Sequence, residues 1–218
     1  VTIALIALVL TSRSVQKEGR FEPMKPGQFR MIKPEIRIVG IDDGFFLPHT
    51  SGKCKIVGVV FRGGYWLDGV MHTRVEIDGM DATKNIGTMI RESPHFGQLR
   101  VIMLDGVTFA GFNVVDTCEL FEMTRLPVIA ITREMPNFRS IQKALKNLEF
   151  GEARLKAMGN LENIVKVFTR KGERGIFMQA TGLDLDLAKN IVQNTSTRSN
   201  IPEPLRVAHL IASGLTTP

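Results

Sequence analysis

An α/β fold with a mixed sheet is predicted from three observations. Three β-prone runs, around residues 36–41, 54–61 and 71–77, follow one another with only short connections between them, so they must run as an antiparallel meander. Two further apolar runs, 101–104 and 127–131, are each preceded by a stretch of helical period, and strand–helix–strand connections pair in parallel by right-handed crossovers. The first and fourth runs both stop at an acid followed by acid or glycine, Asp42-Asp43-Gly44 and Asp105-Gly106. A chain of 218 residues with 44% hydrophobic content has material for one packed domain and not comfortably for two.

Residues 1–30 are expected to lie outside that domain, which then spans 31–218. The opening VTIALIALVL is far shorter than the roughly 20 residues of a membrane-spanning helix, and it lacks the basic start and small-residue cleavage site of a signal peptide. The polar stretch after it holds Pro23 and Pro26 and has no period. It reads as a flexible extension or as a start placed too early, with Met31 as the natural beginning.

Ile36–Ile41 opens the domain as a buried strand. Cys54–Phe61 (CKIVGVVF) is the second, followed by the turn signal Arg62-Gly63-Gly64. Met71–Ile77 alternates, with Met71, Thr73, Val75 and Ile77 on one face and His72, Arg74 and Glu76 on the other, the period of a half-buried strand. Thr83 to Glu92 repeats Ile86, Met89 and Ile90 at helical spacing, and Asp81 stands where a helix is capped. Strand four is Val101–Leu104, a helix is expected over Val114–Thr124, and strand five is Pro127–Ile131. Amphipathic helices follow at 140–148 and 152–158. A hairpin joins 165–168 to 176–180, and helices over 184–193 and 203–213 close the chain, the last opened by Pro202 and Pro204, residues that a helix start tolerates.

The chemistry is expected at the strand ends. Strands one and four are natural neighbours in such a sheet, about 4.8 Å apart, so Asp42 and Asp105 are placed to share one divalent cation. Mg²⁺ takes one or two carboxylates, several waters and a phosphate oxygen, and such a centre activates water against a phosphodiester. Asp81 is the best third acid, with Asp78 and Asp43 as rivals. Gly106 lets backbone or ligand approach, and Arg133, after strand five, is placed to hold a phosphate bidentately. Plainer readings stand beside these: turn or helix caps for Asp42, Asp43 and Asp81, a solvated arginine for Arg133, and packing or surface for His209 on the last helix. His49, His72 and His95 offer exposed positions only. Tyr65 and Trp66, the one Tyr and one Trp, form either a core plug or a platform for a base.

Net charge is +6, but residues 1–30 carry five Lys/Arg against two Glu, which is half of the excess. Charge alone is therefore weak support for a polyanionic partner. Cys54 and Cys118 lack the spacing of a zinc site or disulfide framework and read as buried thiols of a reducing cytoplasm.

The blocks GIDDG, VVFRGGYWLDGV, IDGMDAT, IMLDGVTFAGFNVVD, LPVIAITR and IPEPLRVAHLIASG, in this order, closely resemble the archaeal endonuclease dU family and, more distantly, endonuclease V. The resemblance runs from about Lys33 to the end. It implies a ribonuclease H-like fold and Mg²⁺-dependent cleavage, with Mn²⁺ as the alternative ion, of DNA carrying a deaminated base, deoxyuridine in particular; RNA stays open as a substrate. It also implies that Asp42, Asp81 and Asp105 are the metal ligands, that Arg133 stands where endonuclease V has a lysine, and that His209 falls on a His or Asp position of the final helix. Two departures are visible. Residues 107–112 contain no histidine after the Asp-Gly, and the proline-flanked tyrosine wedge is absent, leaving Tyr65 and Trp66 to stack on a displaced base.

Two other readings remain. Gly40–Gly44 also looks like the first phosphate loop of actin-like ATPases and sugar kinases, but those need two copies of the fold and this chain has room for one. A non-catalytic nucleic-acid-binding protein of the same fold is the second, separated from the first reading by whether DNA is cut when Mg²⁺ or Mn²⁺ is present.

Overall fold

The computed structural model describes residues 33–48, 50–146, 148–159, 163–170 and 174–216. The expected extension over 1–30, His49 and the centre of the basic turn at 171–173 lie outside the described residues. Seven strands make one mixed sheet, ordered across it as residues 66–76, 53–62, 37–43, 101–105, 128–132, 176–181 and 165–167. Its first half is the expected meander: β1 (Arg37–Asp43), β2 (Lys53–Arg62) and β3 (Trp66–Glu76) pair antiparallel. Strand β3 begins five residues before the alternating run at Met71, because a bulge at Val60/Phe61 absorbs the interruption at Asp68-Gly69 and pairing continues to Arg62↔Trp66.

Helix α1 (Ala82–Glu92) returns the chain to β4 (Val101–Asp105), which lies parallel to β1 as expected, with Ile41 opposite Leu104. Between β4 and the next helix the structure inserts a small hairpin, β5 (Thr108–Phe109) and β6 (Asn113–Val114). Helix α2 (Thr117–Thr124) therefore starts three residues after the expected Val114, where Asp116 accepts from the Cys118 and Glu119 N–H groups. A cap of this kind satisfies donors that a helix start leaves unpaired. Strand β7 (Val128–Thr132) pairs parallel to β4. Helices α3 (Phe138–Leu145) and α4 (Gly151–Ala157) follow, then the hairpin of β8 (Val165–Val167) and β9 (Ile176–Thr181). Strand β9 adds antiparallel to β7, and α5 (Leu185–Thr195) and α6 (Glu203–Thr216) end the described chain.

Strand alternation sorts the core onto the two faces of the sheet. Val39, Ile41, Ile102 and Leu104 pack with Ile86 and Ile90 of α1 and Leu120 of α2. Ile38, Val101, Met103, Ile129 and Ile131 pack with Ile191 of α5 and Leu205 of α6. Helix α6 approaches the sheet closely at Gly40, where an added Cβ would sit 2.4 Å from the Pro204 carbonyl. Further along, Ala208 and Ala212 rest on Val57, Val59 and Phe61 of β2. Small residues on both partners let this helix lie almost on the backbone of β1.

Candidate active site

Asp42 and Asp105 occupy the same row of adjacent parallel strands, one residue beyond the Ile41↔Leu104 pair. By alternation both side chains leave the sheet on the face that α6 covers. The helix advances 1.5 Å per residue, so the five residues from Pro204, on Gly40, to His209 cover about the length that two strand residues span from Gly40 to Asp42. His209 Nδ1 accordingly lies 2.8 Å from Asp42 Oδ2, its N–H donating when Asp42 is ionised. One ligand atom each from Asp42, Asp105 and His209 lies within 4.8 Å of the others. Arg133 follows β7 with its guanidinium 3.5 Å from Asp105 Oδ2 and more than half exposed.

The electrostatics of this cluster are those of buried like charges. Burial is the largest influence on Asp42, and with the neighbouring negative charges of Asp105 and Asp43 it raises the carboxyl to about 7, against weaker lowering by His209. Asp105 is also raised by burial, with Arg133 opposing. Desolvation disfavours the ionised form, so the metal-free site resists carrying its full negative charge. Asp43 points to the other face, where its Oδ2 accepts from the Ala110 N–H at 2.6 Å. Its carboxyl is raised by burial and lowered by that bond.

Asp81 is not brought to this cluster. It precedes α1, on the face opposite α6, and its side chain does not cap that helix. Its Oδ1 accepts from Asn113 Nδ2 and the Glu76 N–H, and its Oδ2 from Asn85 Nδ2. Asp78 is likewise engaged, its Oδ1 accepting from the Phe112 N–H. Gly106 adopts φ +83°, where an added Cβ would meet Thr108 N at an ordinary 3.9 Å, so glycine is favoured here by the backbone turn rather than by crowding. Tyr65 and Trp66 are exposed, which rules out a core plug. They stand at the other end of the sheet: Trp66 pairs with Arg62, and Arg62 with Arg37, five positions along β1 from Asp42, or about 17 Å at 3.3 Å per residue.

One feature carries no sequence signal. Arg154 of α4 is buried, yet among the described residues its guanidinium donates to backbone carbonyls alone, those of Asp78, Gly79, Phe112 and Glu149. It thereby ties the loop before α1, the β5–β6 hairpin and the α3–α4 connection together. Next to Gly106, on the face of the sheet opposite the Asp42 and Asp105 side chains, a cavity of about 500 Å³ opens between Gly106, Thr132, Arg133, Asn137, Phe177 and Gln179.

Residues 34–216 match the family described as Endonuclease dU. The chain belongs to the Endonuclease dU family. A family-level likeness is equally plain in a UPF0215 protein of Methanosarcina acetivorans, 52% identical over 184 residues, which are 84% of this chain and 92% of that protein. The crystal structure of an Archaeoglobus fulgidus protein of unknown function superposes with a TM-score of 0.74 at 36% identity, covering 84% of this chain and 99% of that one. Endonuclease V of Bacillus subtilis (TM-score 0.57, 15% identity, 84% and 83% of the two chains) shares the fold. So does Ciona intestinalis endonuclease V bound to DNA containing an inosine (TM-score 0.51, 17% identity, 79% and 82%). The Endonuclease dU chain thus has the ribonuclease H-like fold of nucleases, with an acid cluster at the ends of its central strands. Among the described residues no helix is long and apolar enough to cross a membrane.

Proposed function

We propose that this Endonuclease dU member is a metal-dependent endonuclease that hydrolyses a phosphodiester in DNA containing deoxyuridine. The observation that carries the reading is the convergence of Asp42, Asp105 and His209 within 4.8 Å in a chain of this family. The donor set fits a divalent cation: two carboxylates suit Mg²⁺ or Mn²⁺, and burial leaves their charge in need of a counterion. When bound, the cation supplies activation of water and neutralisation of charge developing on the phosphate. Asp42 and Asp105 would hold it, and His209 fixes the orientation of Asp42 through their 2.8 Å contact, as partners behind a metal ligand do. The exposed guanidinium of Arg133 grips the phosphate. Asp81 is assigned to the frame that sets the loop before α1, since its oxygens already accept from Asn85, Asn113 and Glu76.

The cavity beside Gly106 is the place for the displaced base. At about 500 Å³ it has room for a pyrimidine, and the side-chain amides of Asn137 and Gln179 in its wall offer both donors and acceptors to the Watson–Crick edge of a base taken out of the stack. The deciding experiment uses labelled duplexes and single strands, DNA and RNA, carrying uracil, hypoxanthine or no lesion. Cutting of the uracil-containing DNA only with Mg²⁺ or Mn²⁺, and its loss in Asp42→Asn, is the expected result. Binding without cutting under every condition would instead make this a nucleic-acid-binding protein that has kept its acids.

A further inference from the structure

We infer that Phe168, Lys166 and Phe177 form a second nucleic-acid subsite, which holds an unpaired stretch of the strand on the β8 side of the acid cluster. The inference takes its occupant, nucleic acid, from the nuclease reading above. Register across the sheet places the subsite. Asp42, Asp105, Ile131, Met178 and Val165 form one row, and Thr132, Phe177 and Lys166 form the next row toward the C-terminal edge of β4 and β7. The side chains of that next row lie on the opposite face, so a strand reaches them from the acids by passing over that edge. Strand β8 lies three strands from β4, about 14 Å at 4.8 Å per strand, and Phe168 lies three residues beyond Val165, about 10 Å along the strand direction. The two combine to about 17 Å, on the order of five nucleotides from the scissile position at the 3.4 Å rise of a stacked strand. Phe177 lines the base cavity, so cavity and subsite are continuous along this edge.

The chemistry of the subsite is that of single-strand binding. Lys166 is exposed, and its ammonium lies 5.2 Å from the centre of the Phe168 ring and 5.7 Å from that of Phe177. Phe168 is 60% exposed, although a ring of that size gains by burial. A cation held between two aromatic rings, one of them open to solvent, offers a phosphate contact beside a stacking face. Proteins that track single strands combine these two elements. Only an unpaired base has a face free to lie on such a ring, because bases in a duplex are already stacked on both sides. Arg133, more than half exposed at the acid cluster, continues the positive charge toward the scissile phosphate.

The test measures binding and cutting separately on the full chain. With EDTA present, the affinities of a 20-nucleotide deoxyuridine-containing single strand and of its duplex are measured for the parent, Phe168→Ala, Phe168→Trp and Lys166→Gln, each checked for unchanged melting. We expect Phe168→Ala to weaken single-strand binding at least fivefold and duplex binding less than twofold, and Phe168→Trp to restore it. Lys166→Gln should reduce the slope of log affinity against log salt by about 0.7, one phosphate contact to a single strand. Single-strand affinity of Phe168→Ala within twofold of the parent, an equal loss on duplex, or an unchanged salt slope in Lys166→Gln overturns the subsite. Cutting by the parent with Mg²⁺ tells the two readings apart. A parent that cuts while Phe168→Ala binds normally removes the subsite and leaves the nuclease, whereas a parent that never cuts but binds through Phe168 does the reverse.

Discussion

Pro204 of α6 rests directly on Gly40 of β1, so closely that a Cβ at Gly40 would fall 2.4 Å from the Pro204 carbonyl. The obstacle is backbone, which cannot swing aside as a flexible side chain would. Gly40→Ala must therefore lift α6 from β1, and overpacking of this kind costs about 1 to 3 kcal/mol. The same displacement carries His209 away from Asp42. The expected outcome is a melting temperature lower by roughly 2 to 4 °C per kcal/mol, together with lost cleavage. Thermal melts and the uracil-DNA assay read the two effects independently.

Asp105→Asn removes one of two buried like charges while keeping shape. Asp105 is among the charges that raise Asp42, and its own ion pair is with an exposed arginine, a kind of contact worth little. In EDTA the Asp105→Asn protein should melt above the parent. Added Mg²⁺ should stabilise the parent by mass action and the variant much less. A variant that melts lower in EDTA and responds to Mg²⁺ as the parent does would end the shared-cation account.

Asp42 makes the metal-free protein sensitive to pH in a defined direction. Its carboxyl stands at about 7 in the folded chain against an ordinary 3.8, so the native state binds this proton more tightly than the unfolded state. Its contribution to stability is complete below about pH 4 and drains away as pH rises through about 7. Denaturant melts in EDTA from pH 4.5 to 8 should show the parent losing stability relative to Asp42→Asn across that window. Saturating Mg²⁺ should flatten the difference.

Tyr65 and Trp66 are exposed, so replacing both with Ala should change stability by less than about 0.5 kcal/mol. Their position about 17 Å along the sheet from Asp42 corresponds to about five nucleotides at 3.4 Å. The double variant should bind long single strands about tenfold more weakly, the loss of about one stacked base, and leave unaffected strands extending fewer than about five nucleotides toward that end. Equal effects on short and long substrates would remove these residues from the nucleic-acid surface.

The sheet order could be read along the chain because each central strand is an uninterrupted apolar run, and β1 and β4 stop at acids whose pairing follows from topology alone. Strand β3 was legible only from Met71, since Asp68-Gly69 breaks the alternation that the Val60/Phe61 bulge restores in space. The fate of Asp81 was not legible. Its partners Asn85 and Asn113 come from a helix face and from a two-residue strand with no period to announce it. His209 belongs to the site by virtue of its distance along α6 from Pro204, and that distance acquires meaning only once Gly40 is known to carry the helix. Arg154 lies in an ordinary amphipathic stretch, and its carbonyl partners have no residue-type signature at all.

The buried guanidinium of Arg154 also constrains how this molecule can breathe. Among the described residues its guanidinium is bonded to carbonyl dipoles drawn from three separate segments and to no carboxylate. Were one segment to peel away, a buried cation would be left short of acceptors, a cost that sub-global opening cannot readily meet. The loop carrying Asp78 and Asp81, the β5–β6 hairpin and the α3–α4 connection should thus exchange their amide protons as a single cooperative unit. Access to the nearby cavity must then come from its other wall, around the 133–137 segment after β7.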